Sequence, residues 1–120
     1  MKLAQLILPA NANKGVAPEG FVNLPERMAA NRRMDRTHEL LKQRLLDDFG
    51  GYTETRGQGA WKPPEGRPLV IEPVVVYQIA MERQSVIRLR EIARDCAIMA
   101  DQECVMIVTP CGDVEFVKPN

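Results

Sequence analysis

The stretch that decides the fold is "RPLVIEPVVVYQIAM", residues 67–81, in which apolar side chains occupy odd and even positions alike. In an extended strand, alternate side chains point to opposite faces of a sheet. One face is predicted to carry the odd-numbered set, Leu69, Ile71, Val75, Tyr77, Ile79 and Met81. The other is predicted to carry the even-numbered set, Val70, Glu72, Val74, Val76 and Gln78. Pro73 has no N–H for a neighbouring strand, which predicts a sheet edge or a bulge there.

Amphipathic patterns on either side of this strand predict two helices. Residues 30–49 repeat apolar side chains at helical spacing, and Gly50 and Gly51 can adopt the conformation that ends a helix. A second helical pattern covers residues 85–100, with Ser85 as the expected N-cap. An earlier cap at Asn23 is expected to begin the first helix.

The rest of the chain predicts strands and turns around these helices. Residues 2–8 are expected to form a first strand, residues 52–62 to pair with 67–81 through a Pro-Pro-Glu-Gly turn, and residues 103–109 to pair with 114–117. Residues 9–24 are rich in proline, glycine and asparagine and are expected to form a loop. The chain is therefore one domain, residues 1–120, with strand, helix, hairpin, helix and hairpin in order.

This order predicts an α+β ferredoxin-like βαββαβ sandwich with an extra C-terminal hairpin strand. Both helices would cover one face of an antiparallel sheet. The opposite face would then leave Val74 and Val76 exposed, and contiguous exposed apolar area usually marks an interface. We therefore expect a homo-oligomer that packs through the open sheet face or a sheet edge.

Composition excludes several classes of function. The formal net charge is zero, so no bulk attraction favours nucleic acid or an anionic membrane. The three cysteines form no CxxC pair, which is typical of a reducing cytoplasm. A single histidine cannot build a usual zinc site, so no metal or cofactor is expected. His38 itself is expected at the surface or boundary of the first helix, and Cys96 in the core.

The stretch "FGGYTETRGQGAW", residues 49–61, has four glycines and three aromatic residues. Its spacing does not match a P-loop, and the prolines after it forbid the helix that a P-loop enters. It forms either a helix end followed by a tight turn, or a ligand site in which Trp61 and Tyr52 stack on the ligand and glycine amides bind an anion. The ligand-site hypothesis assigns the following residues: Tyr52, Thr53, Gly57, Gly59, Trp61, Tyr77 and Gln102.

Glu72 and a group of arginines on the first helix suggest functions other than ligand binding by the glycine-rich stretch. Glu72 interrupts an apolar run. If it is buried, its pKa would be raised, which makes it a candidate general base. The structural alternative is an ion pair between Glu72 and an arginine. Arg32, Arg33 and Arg36 lie close together on the first helix and would contact a host protein or nucleic acid, although interspersed acidic residues favour an ordinary solvated face.

The glycine-rich stretch, the strand that follows and the segment "DQECVMIV" resemble a family of uncharacterised small bacterial, phage and plasmid proteins, known as domains of unknown function. That family has F-G-G-x-T, G-x-G-x-W and Q-E-x-V elements. The matching positions are Phe49, Gly50, Gly51, Thr53, Gly57, Gly59, Trp61, Glu72, Tyr77, Gln102, Glu103 and Val105. The resemblance covers roughly residues 40–117 and implies the ferredoxin-like fold, but it implies no reaction.

These observations favour a small cytoplasmic binding or accessory protein over an enzyme, with a cleft near the glycine-rich hairpin that oligomerisation completes. Two alternatives stay open. One is an enzyme that acts on a small anionic substrate with Glu72 as base. The other is a phage or plasmid accessory protein that binds a host protein or nucleic acid through the arginines of the first helix. No membrane-spanning run is present in the sequence.

Overall fold

The structure is a computed structural model that describes residues 1–12 and 24–120. Its regular elements in chain order are β1 (Lys2–Pro9), α1 (Leu24–Phe49), β2 (Thr53–Trp61), β3 (Val70–Met81), a 3-10 turn (Arg83–Ser85), α2 (Val86–Met99), β4 (Val105–Val108) and β5 (Val114–Val117). The expected cap at Asn23 and most of the expected loop at 9–24 lie outside the described residues. Ser85 does precede α2, but its side chain makes no capping hydrogen bond.

The five strands form one sheet in the order β2-β3-β1-β4-β5, and every neighbouring pair is antiparallel. The first four strands follow the order expected for a ferredoxin-like βαββαβ unit, and β5 extends the sheet beyond β4. The predicted α+β fold class is confirmed, including the extra strand of the C-terminal hairpin.

The core lies between the sheet and the two helices. The strand register places Tyr77 opposite Leu6 and Leu6 opposite Ile107, and all three are fully buried. The helical residues that complete this core include Met34, Leu41, Leu45, Leu89, Ile92 and Ala93. The odd-numbered side chains of β3 from Val75 to Met81 therefore face the helices, as the alternation predicts, whereas Leu69 and Ile71 of the predicted set are 59% and 55% exposed.

Pro73 lies where the pairing of β3 with β1 ends, since β1 pairs only with residues 74–81, so β3 has an open edge on this side, as the proline predicts. Its carbonyl accepts a hydrogen bond from the amide of Ala10, at 2.9 Å, on the β1 side. The N–H and C=O of one strand residue point to the same side, so a proline nitrogen here also faces β1. Because β1 ends at Pro9, no ladder bond is lost.

Strand β2 lies at the edge of the sheet and extends beyond the helices. The side chains that it directs to the helix side are half-buried or exposed, from Glu54 through Ala60. Ion pairs hold the two helices and β5 together on the opposite half of the molecule: Arg44 with Asp95, Arg88 with Asp48, and Arg90 with Glu115. The overhanging strand leaves a groove beside α1. None of the helices in the described ranges is long and apolar enough to cross a membrane.

Candidate functional site on β2 and β3

The sheet face turned away from the helices, called here the open face, is largely apolar. A row across all five strands places Thr55, Val76, Ile7, Met106 and Phe116 side by side. Val76, Ile7 and Met106 are half-buried, whereas Phe116 is 63% exposed. Val74 and Val76 lie on this face, as predicted, and both helices pack on the other one.

Glu72 is the only charged side chain that the five strands direct to the open face. The indole N–H of Trp61, on the neighbouring strand, donates a hydrogen bond to this carboxylate. Burial raises the pKa of Glu72 above its ordinary value, and the bond from Trp61 acts in the opposite sense. A half-buried carboxylate therefore lies beside an indole that is 50% exposed.

Gly57 and Gly59 lie in the middle of β2 and not in a turn. A Cβ added at Gly59 would come within 3.3 Å of Val74 Cγ1, and one at Gly57 would meet the same side chain at 3.9 Å. The two glycines therefore allow Val74 to lie over the backbone of β2. Only Gly50 fits the predicted helix end: its φ is +82° and its amide donates to the carbonyl of Leu46 at 3.0 Å.

Four of the predicted ligand residues lie away from the neighbouring residues Gly57, Gly59, Trp61 and Glu72. Tyr77 is fully buried on the helix-covered face, where the half-buried ring of Tyr52 packs edge-on against it at 5.7 Å. Thr53 lies at the opposite end of β2 from Trp61. Gln102 precedes β4, which β1 and β3 separate from β2, and its side chain donates to the carbonyl of Ala100 at 3.2 Å. The residues that do come together are Gly57, Gly59, Trp61 and Glu72.

His38 is buried, so the prediction of a surface or boundary position is wrong. Its Nε2–H donates to the carbonyl of Pro9 at 2.8 Å, because a carbonyl can only accept. In the neutral ring, Nδ1 then accepts from the hydroxyl of Tyr77 at 2.6 Å. Met34, Leu41 and Leu45 recur at helical spacing from His38, which is the sequence signal that indicates its burial.

Desolvation by burial lowers the pKa of His38, and the bond to the Pro9 carbonyl only partly opposes it. Burial also raises the pKa of Tyr77 well above its usual range. Both groups are therefore held neutral in the folded protein at neutral pH. The pair connects α1, β1 and β3 beneath the groove at the edge of the sheet.

The groove beside α1 has a volume of about 360 Å³. Charged side chains cross it: Lys42 of α1 lies 3.3 Å from Glu54 of β2, and Arg56 lies 3.6 Å from the same carboxylate. Its lining consists of Ala10, Asn11, Asp35, His38, Glu39, Lys42, Arg56, Val75 and Tyr77. Strand β2 thus contributes to two separate places, Trp61 to the open face and Arg56 to the groove.

The burial of His38 predicts a specific pH dependence of stability. Its folded pKa lies below the ordinary value of 6.5, so between these two pKa values only the unfolded chain takes up the proton. The contribution of neutral His38 to the free energy of unfolding is fully present at pH values above the pKa of the unfolded chain. It is lost as the pH falls from there through the lower pKa of the folded protein. We expect the Tm to decrease between about pH 7 and about pH 5, measured by circular dichroism.

The matched control is His38→Gln, which removes the only imidazole of the chain. Its Tm is expected to be lower than wild type at pH 7 and to depend less steeply on pH over the same interval. Carboxylates titrate in both proteins, so the difference between the two slopes isolates His38. Parallel curves of Tm against pH for the wild-type protein and His38→Gln would contradict the assignment of a buried, neutral imidazole.

The three arginines that the sequence suggests for contact with a host protein or nucleic acid lie on an exposed surface of α1. Arg32, Arg33 and Arg36 are all exposed, and no ion pair joins them to a residue of the described ranges. Asp35 and Glu39 lie on the same helix, so this surface has mixed charge.

Burial raises the pKa of the Cys96 thiol to about 12, which makes it unreactive, whereas Cys111 is exposed. In the part of the chain that the structure describes, no cluster of three His, Cys, Asp or Glu side chains could hold a metal ion.

Comparison with known proteins identifies the fold only. No family model matches the chain, and no curated protein matches it. A phage SAM lyase in complex with S-methyl-5′-thioadenosine has a similar structure, with a TM-score of 0.60 and 13% identity over 97% of this chain and 88% of that chain. The apo state of a phage SAM lyase gives a TM-score of 0.59 and 14% identity over 97% and 87%.

Proposed function

We propose that the protein is a binding protein that functions as a homo-oligomer, in which a second copy covers the open face and encloses Trp61 and Glu72. The observation that carries this proposal is the apolar row formed by Val76, Ile7, Met106 and Phe116 on the side of the sheet opposite both helices. Phe116 at the end of this row is 63% exposed. Such a face in water is typical of an interface, and an identical copy is the commonest occupant.

The chemistry of the open face favours a cationic ligand with an aromatic ring. Glu72 is the only charge that the strands direct there, and Trp61 provides an exposed π-surface next to it. A carboxylate attracts a cation, and an indole face binds both cations and flat rings. The same arrangement disfavours the small anionic substrate of the sequence-based alternative, because no strand residue on this face is cationic.

The structural neighbours support a ligand of this class. One is a SAM lyase with S-methyl-5′-thioadenosine bound, and SAM itself joins an adenine ring to a sulfonium cation. We therefore propose that the cleft binds an adenosine-bearing sulfonium compound such as SAM. The phage origin of these neighbours also supports a phage or plasmid accessory role, in which the protein would act in the cytoplasm of the host.

Catalysis in the same cleft is the second candidate function. The raised pKa of Glu72 is the property that a general base or acid near neutral pH requires, since an ordinary carboxylate is a weaker base. Glu72 would then exchange a proton with the bound compound, while Trp61 holds its ring. The binding and catalytic versions use the same two residues and differ only in whether the compound is released unchanged.

Calorimetric titration with SAM and with S-methyl-5′-thioadenosine tests the ligand. We expect both to bind, and Trp61→Ala to weaken both, because each has an adenine ring. Glu72→Gln is expected to weaken SAM by about tenfold and the neutral thioether by less than about twofold, since SAM has cationic groups that the carboxylate attracts and the thioether has none. Thr53→Ala, at the far end of β2, is the control and should leave both affinities unchanged.

Failure of both compounds to bind at millimolar concentration would reject this ligand class. An equal loss of affinity for the charged and the neutral compound in Glu72→Gln would reject the role of the carboxylate. Chromatography of the SAM sample after the titration distinguishes binding from catalysis: a new thioadenosine product that Glu72→Gln does not form would establish the enzyme.

A further inference from the structure

The outer edge of strand β2 carries backbone hydrogen-bonding groups that no strand of the described ranges pairs. Strand β2 is first in the sheet order, and its nine residues, Thr53–Trp61, pair with β3 alone in one unbroken register. An edge strand presents a row of N–H and C=O groups with which a further strand can pair. Only Glu54 and Gly59 of β2 are half-buried and the others are exposed, so this edge is accessible.

The register determines which residues of β2 direct these groups outward. The Pro73 carbonyl faces β1, where it accepts from the amide of Ala10. Successive residues of a strand direct N–H and C=O to opposite sides, so the N–H and C=O of Val74 face β2. Its partner Gly57 therefore bonds to β3, as do the other odd-numbered residues of β2. The even-numbered set directs four N–H and four C=O groups outward: Glu54, Arg56, Gln58 and Ala60.

The two edges of the sheet differ in how far they resist pairing. Strand β5, at the other edge, has only four residues, and Lys118 and Pro119 follow it directly. Short length, lysine and proline are devices by which natural proteins block an edge. Strand β2 has nine residues and contains no proline, no lysine and no bulge. It is therefore the edge that this fold leaves open to a partner.

Gly57 and Gly59 leave a shallow hollow on the open-face side of this edge. Val74 forms its floor, 3.9 Å from the Cβ position of Gly57 and 3.3 Å from that of Gly59. Trp61, which is 50% exposed, lies at one end. In an added antiparallel strand, the residues opposite the two glycines form non-hydrogen-bonded pairs, in which the Cα atoms approach to about 4.5 Å. Large apolar side chains there would cover the glycine backbone, an arrangement that compensates for glycine at sheet edges.

Arg56, on the helix side of the same edge, restricts the partner further. Its side chain is 69% exposed, and its 3.6 Å separation from Glu54 exceeds the roughly 2.9 Å of a good charged hydrogen bond. An acidic side chain opposite Arg56 in an added strand would pair with it, since cross-strand pairs of opposite charge stabilise a sheet. A second copy of β2 fits less well, because antiparallel pairing over its full length places Gly57 opposite Gly57 and leaves the hollow unfilled.

From these features of the edge we propose that β2 binds an extended segment of another protein by β-strand addition. The segment runs antiparallel to β2, with a large apolar side chain opposite each of Gly57 and Gly59 and an acidic side chain opposite Arg56. Backbone bonds to the even-numbered residues provide affinity, and the alternating side chains provide specificity. The interaction uses the edge of the sheet, so it is independent of the second copy proposed for the open face and of SAM binding.

Titration of the isotope-labelled full-length chain with a synthetic peptide, followed by nuclear magnetic resonance, tests the proposal. The peptide has seven residues and blocked ends. It carries phenylalanine at its second and fourth positions, glutamate at the fifth, lysine at the seventh and threonine elsewhere. When the phenylalanines lie opposite the two glycines, the glutamate lies opposite Arg56 and the lysine opposite Glu54. We expect binding at millimolar concentration, with the largest shifts in the amides of the even-numbered residues of β2.

N-methylation of the peptide distinguishes strand addition from loose apolar association. In the proposed register, the N–H groups at odd-numbered peptide positions point toward β2, and those at even-numbered positions point away. A methyl group on the nitrogen of the fifth residue should therefore weaken binding by about tenfold, whereas one on the fourth residue should weaken it by less than about twofold. Equal losses for the two methylated peptides would contradict strand addition.

Two variants of the chain place the peptide on this edge. Gln58→Pro removes an outward N–H without loss of a bond to β3, and should weaken the peptide by about tenfold. Arg56→Glu should weaken the glutamate peptide and strengthen, by a similar factor, a peptide with lysine at that position. Arg94→Gln removes an exposed arginine of α2 and is the control, which should leave both affinities unchanged.

Three results would overturn the proposal. The first is absence of binding by the peptide at millimolar concentration, or shifts confined to elements other than β2. The second is an effect of Arg56→Glu that has the same sign for the glutamate and the lysine peptides. The third is a lower particle mass of Gln58→Pro than of wild type in light scattering, which would assign this edge to a second copy of the chain.

Discussion

Tyr77→Ala is expected to lower the free energy of unfolding by about 3–5 kcal/mol, the range for removal of a large buried aromatic side chain. Tyr77 is fully buried between β3 and α1 and packs edge-on against Tyr52. Its loss leaves a cavity and also removes the hydroxyl that donates to Nδ1 of His38. Urea unfolding monitored by circular dichroism measures the change.

Two further variants define the origin of this effect. Tyr77→Phe keeps the ring but leaves Nδ1 of His38 without a donor, and should cost about 1–3 kcal/mol. Trp61→Ala removes a larger aromatic side chain that is half exposed, and should cost less than about 1 kcal/mol. If Tyr77→Ala does not fold, Tyr77→Phe still measures the hydrogen bond. A cost for Tyr77→Phe no greater than that for Trp61→Ala would contradict the buried His38–Tyr77 pair.

Val76→Lys is expected to convert the proposed homo-oligomer to a monomer. Val76 lies in the central row of the open face, between Ile7 and Thr55. A lysine there would place one charge per copy inside an interface between apolar side chains, and an unpaired buried charge is strongly unfavourable. The lysine side chain can extend into water in the monomer, so the fold itself should persist.

Ile98→Lys is the matched control, since it introduces the same charge at an exposed apolar position on α2. It should leave the particle mass unchanged. Size-exclusion chromatography of both variants, with circular dichroism to confirm folding, makes the comparison. A Val76→Lys protein that stays folded and oligomeric would place the interface elsewhere, for example along the edge of β2 or β5.

The alternation of residues 67–81 separates the two faces of β3, and the polar side chains of Glu72 and Gln78 indicate that the even-numbered face is the one the helices leave open. It also places Tyr77 on the helix-covered face. Tyr77, Gln102 and Trp61 all match positions of the family that the sequence resembles, but such matches indicate neither the face of the sheet nor the order of the strands. The sheet order separates β4, which follows Gln102, from β2.

The Trp61–Glu72 contact depends on the register of β2 against β3. That register pairs Gly59 with Glu72 and Trp61 with Val70. Residues 62–69 connect the strands, and a connection of this length does not fix the register as a two-residue turn would. The spacing of Gly57 and Gly59 did contain a usable signal: glycines two apart lie on one face of a strand and allow a neighbouring side chain to approach closely.

The central claim, that another copy of the chain covers the open face, is tested most directly by multi-angle light scattering of the wild-type protein. We predict a mass that is an integral multiple, at least twofold, of the 13.5 kDa chain. A particle of 13.5 kDa at every concentration measured would contradict this claim, since Val74, Val76 and Met106 would then face water.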